Sequence, residues 1–74
     1  MLIRYKYIKR QSRAIVFYNN KRNRHLEDNE LMLLVSKEKH PSVAAANNYI
    51  MIFSDGQIGR VEAYESEMEE CIPC

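Results

Sequence analysis

Residues 49–64 read Tyr-Ile-Met-Ile-Phe-Ser-Asp-Gly-Gln-Ile-Gly-Arg-Val-Glu-Ala-Tyr, two β-branched and aromatic runs joined at Asp55-Gly56. Asp-Gly suits the centre of a two-residue type I′ turn, where both residues need positive φ, so this stretch predicts a β-hairpin. The turn would set Phe53 opposite Ile58, Ile52 opposite Gly59, Met51 opposite Arg60 and Ile50 opposite Val61. One face then carries Ile50, Ile52 and Val61 as core. The other carries Tyr49, Met51, Phe53, Ile58 and Tyr64, which is also apolar. A strand pair apolar on both faces lies between layers or offers one face to another chain. Those five residues are therefore expected to pack on segment 30–39 or to form a homodimer contact.

Working back toward the N-terminus, Pro41 followed by Ser-Val-Ala-Ala-Ala and the Asn47-Asn48 pair predicts a short helix over 42–48, since alanine has the best helix propensity. Residues 30–39 accept two readings. Acids at Glu27, Asp28 and Glu30, with bases at Lys37 and Lys39 before Pro41, match a helix with its dipole complemented at both ends. The run Leu31-Met-Leu-Leu-Val35 would also suit a buried strand; the charge polarity favours the helix. Residues 21–29 are too polar for core and read as a loop or an exposed strand. Leu2–Lys9 and Arg13–Tyr18 are two strands by alternation and propensity, joined by Arg10-Gln11-Ser12 and followed by a turn at Asn19-Asn20. They predict an N-terminal hairpin. After Tyr64, residues 65–74 read as an acidic, mobile tail. The expected architecture is α+β: a single domain over 1–64, with a four- or five-stranded antiparallel sheet built from an N-terminal and a C-terminal hairpin and one or two short helices between them.

The 74 residues, 46% hydrophobic and 28% charged, suit one small soluble domain rather than a disordered chain. A core this small holds roughly 3–5 kcal/mol of net stability without a staple. No apolar run approaches the length needed to span a bilayer, and Met1–Lys6 alternates charge with bulk, so no signal peptide is expected and the chain reads as cytoplasmic. The formal net charge of +1 conceals strong polarity. Residues 1–25 hold eight basic residues and no acid, whereas residues 26–74 hold three basic residues and all ten acids, a chain of +8 followed by −7. Such asymmetry points to a strongly charged partner, or to two halves that neutralise each other as neighbouring strands.

Cys71-Ile-Pro-Cys74 is a C-x-x-C motif, but it lacks the βαβ context of redox enzymes, and the acids before it would raise a thiol pKa. Zinc on Cys71 and Cys74 with His25 and His40 would need ligands in reverse of finger order. A prenylation box would want basic residues upstream. Free thiols are the expectation, with no metal and no cofactor. His25 and His40 lie in polar segments without an orienting carboxylate, and two glycines cannot build a phosphate loop, so no enzyme is expected.

The basic hairpin remains. Arg4, Lys6, Arg10 and Arg13, extended by Lys21, Arg22 and Arg24, are expected to form one contact surface for nucleic acid or a nucleoprotein complex. Cations would take phosphates, and Tyr5, Tyr7, Phe17 and Tyr18 are nearby rings. The aromatic motif of RNA-recognition sheets and the Gly-x-x-Gly loop are absent. The internal alternative is neutralisation by Glu62, Glu65 and Glu67. A second function class is a protein–protein inhibitor or adaptor. Size, charge polarisation and the lack of a catalytic motif are those of small phage host-takeover and anti-CRISPR proteins, an analogy rather than a motif match. A structural, ribosome- or capsid-associated element is the third.

Overall fold

The computed structural model describes residues 1–9 and 12–71. Seven strands form one antiparallel sheet: β1 (Leu2–Tyr5), β2 (Ile15–Tyr18), β3 (Lys21–His25), β4 (Leu31–Lys39), β5 (Ala46–Ile52), β6 (Ile58–Tyr64) and β7 (Met68–Cys71). Their order across the sheet is β3-β2-β6-β5-β4-β1-β7. A 3-10 turn at Glu65–Glu67 is the only helical element among the described residues. The α+β expectation is therefore overturned.

Both expected helices are strand or turn. In β4, Met32 is buried and Leu34 partly so, while Leu31, Leu33 and Val35 face solvent, an alternation that a helix could not produce. The acids that mimicked a helix start have other work. The Asp28 carboxylate accepts the Tyr7 N–H, and Glu30 binds Arg24. Of segment 42–48, only residues 46–48 are regular, and they begin β5. Three alanines cannot outweigh helix nucleation in so short a piece. Instead His40 closes the β4–β5 hairpin: its N–H donates to the Ala46 carbonyl, and its Nδ1 accepts the N–H groups of Ser42 and Val43.

The N-terminal hairpin is also corrected, because β1 and β2 do not pair. β1 lies between β4 and β7, whereas β2 lies between β3 and β6. The type I′ turn expected at Asp55-Gly56 is at Asn19-Asn20, whose φ values of 52° and 63° permit it, and it makes β2–β3 the tight hairpin. The segment read as a tail supplies the 3-10 turn and β7 up to Cys71, and β7 pairs with β1 from Leu2↔Cys71 to Tyr5↔Met68.

The β5–β6 hairpin forms as expected but one residue out of register. Ile52 pairs with Ile58, Met51 with Gly59, Ile50 with Arg60 and Tyr49 with Val61. Gly56 alone has positive φ in this loop; its N–H bonds the Phe53 carbonyl, and the Phe53 N–H bonds the Gln57 carbonyl. That is a three-residue loop with a glycine bulge, which needs one left-handed residue rather than two. A one-residue slip exchanges the faces. Tyr49, Met51, Phe53 and Val61 point inward and are buried; Ile50, Ile52, Ile58 and Tyr64 point outward. The expected homodimer face of Tyr49, Met51, Phe53, Ile58 and Tyr64 is thus split between opposite sides of the sheet, and its first three members fill the chain's own core.

Burial of one sheet face without a second layer requires curling. β1 and β2 are four strands apart, roughly 19 Å in a flat sheet at the usual strand spacing. Yet the Ala14 N–H, just before β2, donates to the Tyr5 hydroxyl at 3.0 Å. The concave side packs Ile3, Tyr5, Val16, Met32, Tyr49, Met51, Phe53 and Val61, with Leu26 from the β3–β4 connection. Gly59 is required there. A Cβ at this position would lie 2.8 Å from the Phe53 ring, 2.9 Å from the Tyr18 ring and 3.0 Å from the Phe17 carbonyl.

Candidate partner-binding surface

Of the seven basic residues singled out by sequence, six are described, and they fall on several elements of the sheet. Arg4 and Lys6 belong to the β1 side of the sheet, and Lys21, Arg22 and Arg24 to β3 at the opposite edge. Arg10 lies outside the described residues. Arg4 sits opposite Glu69 in the β1–β7 ladder, and the Lys6 ammonium is 2.6 Å from the same carboxylate. Hydrogen bonding from Lys6 holds the Glu69 carboxyl below its ordinary range. A basic strand does lie beside an acidic one, though the acid is Glu69, not the Glu62, Glu65 or Glu67 expected.

Arg13 lies over the Tyr7 ring at 4.5 Å and donates to the Leu26 carbonyl. Arg24 donates two hydrogen bonds to Glu30, at 2.8 and 2.6 Å, and its guanidinium lies 5.5 Å from the Phe53 ring centre. Burial works to raise the Glu30 carboxyl, but Arg24 and the Glu27 N–H pull it below its usual range. These two arginines serve the fold. Lys21 and Arg22 are exposed on the edge strand and have no ion partner among the described residues. Arg22 is the register partner of Phe17 in the β2–β3 ladder, and Arg60, its partner in the β2–β6 ladder, lies over the Phe17 ring at 4.5 Å. The outer surface here is a row of arginine, phenylalanine and arginine, with Arg60 also 2.8 Å from Glu62.

Beside that row lies what the sequence reading missed. Leu2, Leu33, Ile52 and Ile58 form one register row across β1, β4, β5 and β6 on the outer face. Exposure reaches 49% at Leu33, 58% at Ile58, 52% at Val35 and 44% at Leu31. Scattered exposed leucines are ordinary, whereas a contiguous row on a sheet with no covering layer is a docking surface or an aggregation liability. The alternation of Leu31 and Leu33 with Met32 and Leu34 carried this signal once 30–39 was taken as a strand.

His25 sits exposed on β3, and His40 holds a turn; its Nε2 is 3.3 Å from Glu62. Cys71 pairs with Leu2 at the β7 end, and Cys74 lies outside the described residues, within which no group of three metal-ligating side chains occurs. Among the described residues no helix is long and apolar enough to cross a membrane.

Fold and surface together define a small, curled, all-antiparallel sheet whose apolar outer face is covered by no other element among the described residues and is bordered by Arg4, Arg60 and Arg22. Comparison with protein-family models, curated proteins and solved structures gives no match.

Proposed function

We propose that this chain is a non-enzymatic binding protein that docks onto another protein through the outer face of its sheet. The observation that carries the reading is the row Leu2–Leu33–Ile52–Ile58, apolar across four strands and exposed at Leu33 and Ile58. Arg22, Arg60 and Phe17 at its border are residue types enriched in protein interfaces. Among the described cations, Lys6 is paired with Glu69 and Arg24 with Glu30, which leaves fewer of them for a polyanion. The test is affinity capture from the source cell with wild type and the double variant Leu33→Asp, Ile58→Glu. Both positions are about half exposed, so the variant should keep its fold and thermal midpoint while losing one specific captured protein. A variant that captures the same proteins as wild type would overturn the reading.

Single-stranded nucleic acid is the second reading, favoured by the Arg22–Phe17–Arg60 row, where a base could stack and phosphates could be neutralised. It predicts oligonucleotide binding that falls steeply with salt and is lost in Phe17→Ala. Docking through the apolar row predicts weak salt dependence and insensitivity to competing oligonucleotide.

A further inference from the structure

The molecule holds a cleft that neither reading uses. Beyond Ile15↔Glu62 the β2–β6 ladder ends, and the chain at 12–14 splays away from Ala63 and Tyr64. The gap is a cleft of about 250 Å³ whose lining includes Arg13, His40, Val43 and Glu67; the Arg13 guanidinium is engaged by the Tyr7 ring and the Leu26 carbonyl and makes no ion pair with Glu67. Glu67 is only 2% exposed. Its Oε2 accepts the Tyr5 hydroxyl at 3.0 Å, and its Oε1 accepts the Tyr64 N–H at 3.0 Å. Tyr5 has a single hydroxyl proton and already accepts from the Ala14 N–H, so that proton goes to Glu67. Both carboxylate oxygens are thus met only by neutral donors, and Glu67 has no ion partner among the described residues. The other acid of the cleft, Glu62, is matched by Arg60 and by the Nε2 proton of His40, whose Nδ1 is occupied by two backbone N–H groups.

A buried carboxylate without a cation is costly, and one that opens onto a cleft can be compensated by a cation from outside. We propose that this cleft receives a guanidinium or ammonium group, which pairs with Glu67 at its inner end while its alkyl stem lies along Ala46, Ala63 and Val43. The Tyr5–Glu67 hydrogen bond pre-orients the carboxylate, so the cation meets a fixed acceptor. The burial that pushes the Tyr5 hydroxyl up to about 12 is consistent with a water-poor inner end.

The test is a heteronuclear NMR titration of the full chain with butylguanidinium and butylammonium, read at the amide signals of Ala14 and Tyr64, which donate directly into the network. Saturable shifts at both amides, in the millimolar range, are expected from the cations and none from the neutral isostere butylurea. Glu67→Gln should weaken binding about tenfold or more. Because that variant sits in the core, a second one is used: Val43→Lys at an exposed position supplies a tethered ammonium and should abolish the response with the fold intact. A capped Gly-Arg-Gly peptide distinguishes the sources. Tighter binding than butylguanidinium assigns the site to a partner's arginine, and weaker binding assigns it to a free small amine. No saturable shift at Ala14 and Tyr64 with either cation, or equal shifts with butylurea, would overturn the proposal. So would undiminished binding by a folded Val43→Lys protein.

Discussion

Replacing Tyr5 with phenylalanine removes one oxygen and two buried hydrogen bonds. In the native chain that oxygen accepts the Ala14 N–H and donates to Glu67, joining β1, the approach to β2 and the 3-10 turn before β7. The ring fits as before, so no cavity opens. The cost is desolvation of two groups left without this partner, one of them a carboxylate, at about 1–3 kcal/mol each. A loss of about 2–6 kcal/mol is thus expected, comparable with the whole stability of a domain this size, roughly 3–5 kcal/mol. At about 4–8 °C per kcal/mol, the thermal midpoint should fall by at least about 8 °C. Tyr49→Phe is the control, since its buried hydroxyl accepts only from the Asn47 amide at 3.1 Å, and it should lose about half as much. A second readout is alkaline stability. Burial, foremost, with the bond to Glu67, raises the Tyr5 hydroxyl to about 12, whereas in the unfolded chain it titrates near 10. The unfolded state therefore releases its proton first, and native stability is intact below pH 10 and declines between pH 10 and 12, by at most about 2–3 kcal/mol. Chemical denaturation of wild type and Tyr5→Phe across that range should show the decline shallower in the variant. A Tyr5→Phe protein within about 2 °C of wild type at neutral pH, with an unchanged alkaline profile, would refute the network.

Gly59→Ala should cost about 1–3 kcal/mol by denaturant unfolding, because the new methyl meets Phe53 and Tyr18 rings already packed edge to face at 5.8 Å. Asn20→Gly should raise the thermal midpoint by a few degrees and Asn20→Ala lower it, since the turn holds this residue at φ 63°. On the acid side, Glu30 is held below its ordinary range by Arg24 in the face of burial, so its contribution is present above about pH 4.5 and disappears as pH falls through the folded value. Glu30→Gln should flatten that acid limb in pH-dependent unfolding curves and destabilise the protein at neutral pH by about 1–3 kcal/mol.

The strands at 2–5, 15–18 and 58–64 were legible because alternation and β-propensity agree there. Pairing was not legible, because it depends on contacts distant in sequence. Nothing local says that β1 would choose β4 and β7 over β2. Residues 30–39 misled because their charges imitate helix capping, yet Asp28 and Glu30 bind Tyr7 and Arg24 from β1 and β3 sides of the molecule. The Asp55-Gly56 signal was real but compatible with two loop lengths, and the choice decided which hydrophobic set became core. The larger missed feature, the apolar row through Leu33 and Ile58, follows from that choice. Neutralisation of β1 by an acidic strand was legible as a charge pattern, although its agent, Glu69, was placed in a tail.

The proposed docking face depends on which side chains of β5 and β6 point outward, and the β5–β6 register decides that. In the observed ladder Phe53 and Gln57 are hydrogen-bonded to each other, so the next pair, Ile52 and Ile58, is non-hydrogen-bonded, with Cα atoms only about 4.5 Å apart. The same holds for Ile50 with Arg60 and for Asn48 with Glu62. Cross-strand Hα–Hα nuclear Overhauser effects measured on the labelled protein should therefore join those three pairs, leaving Tyr49, Met51 and Phe53 inside. Strong Hα–Hα effects between Phe53 and Ile58 and between Met51 and Arg60 would instead show the two-residue turn, bury Ile50 and Ile52, and contradict the account.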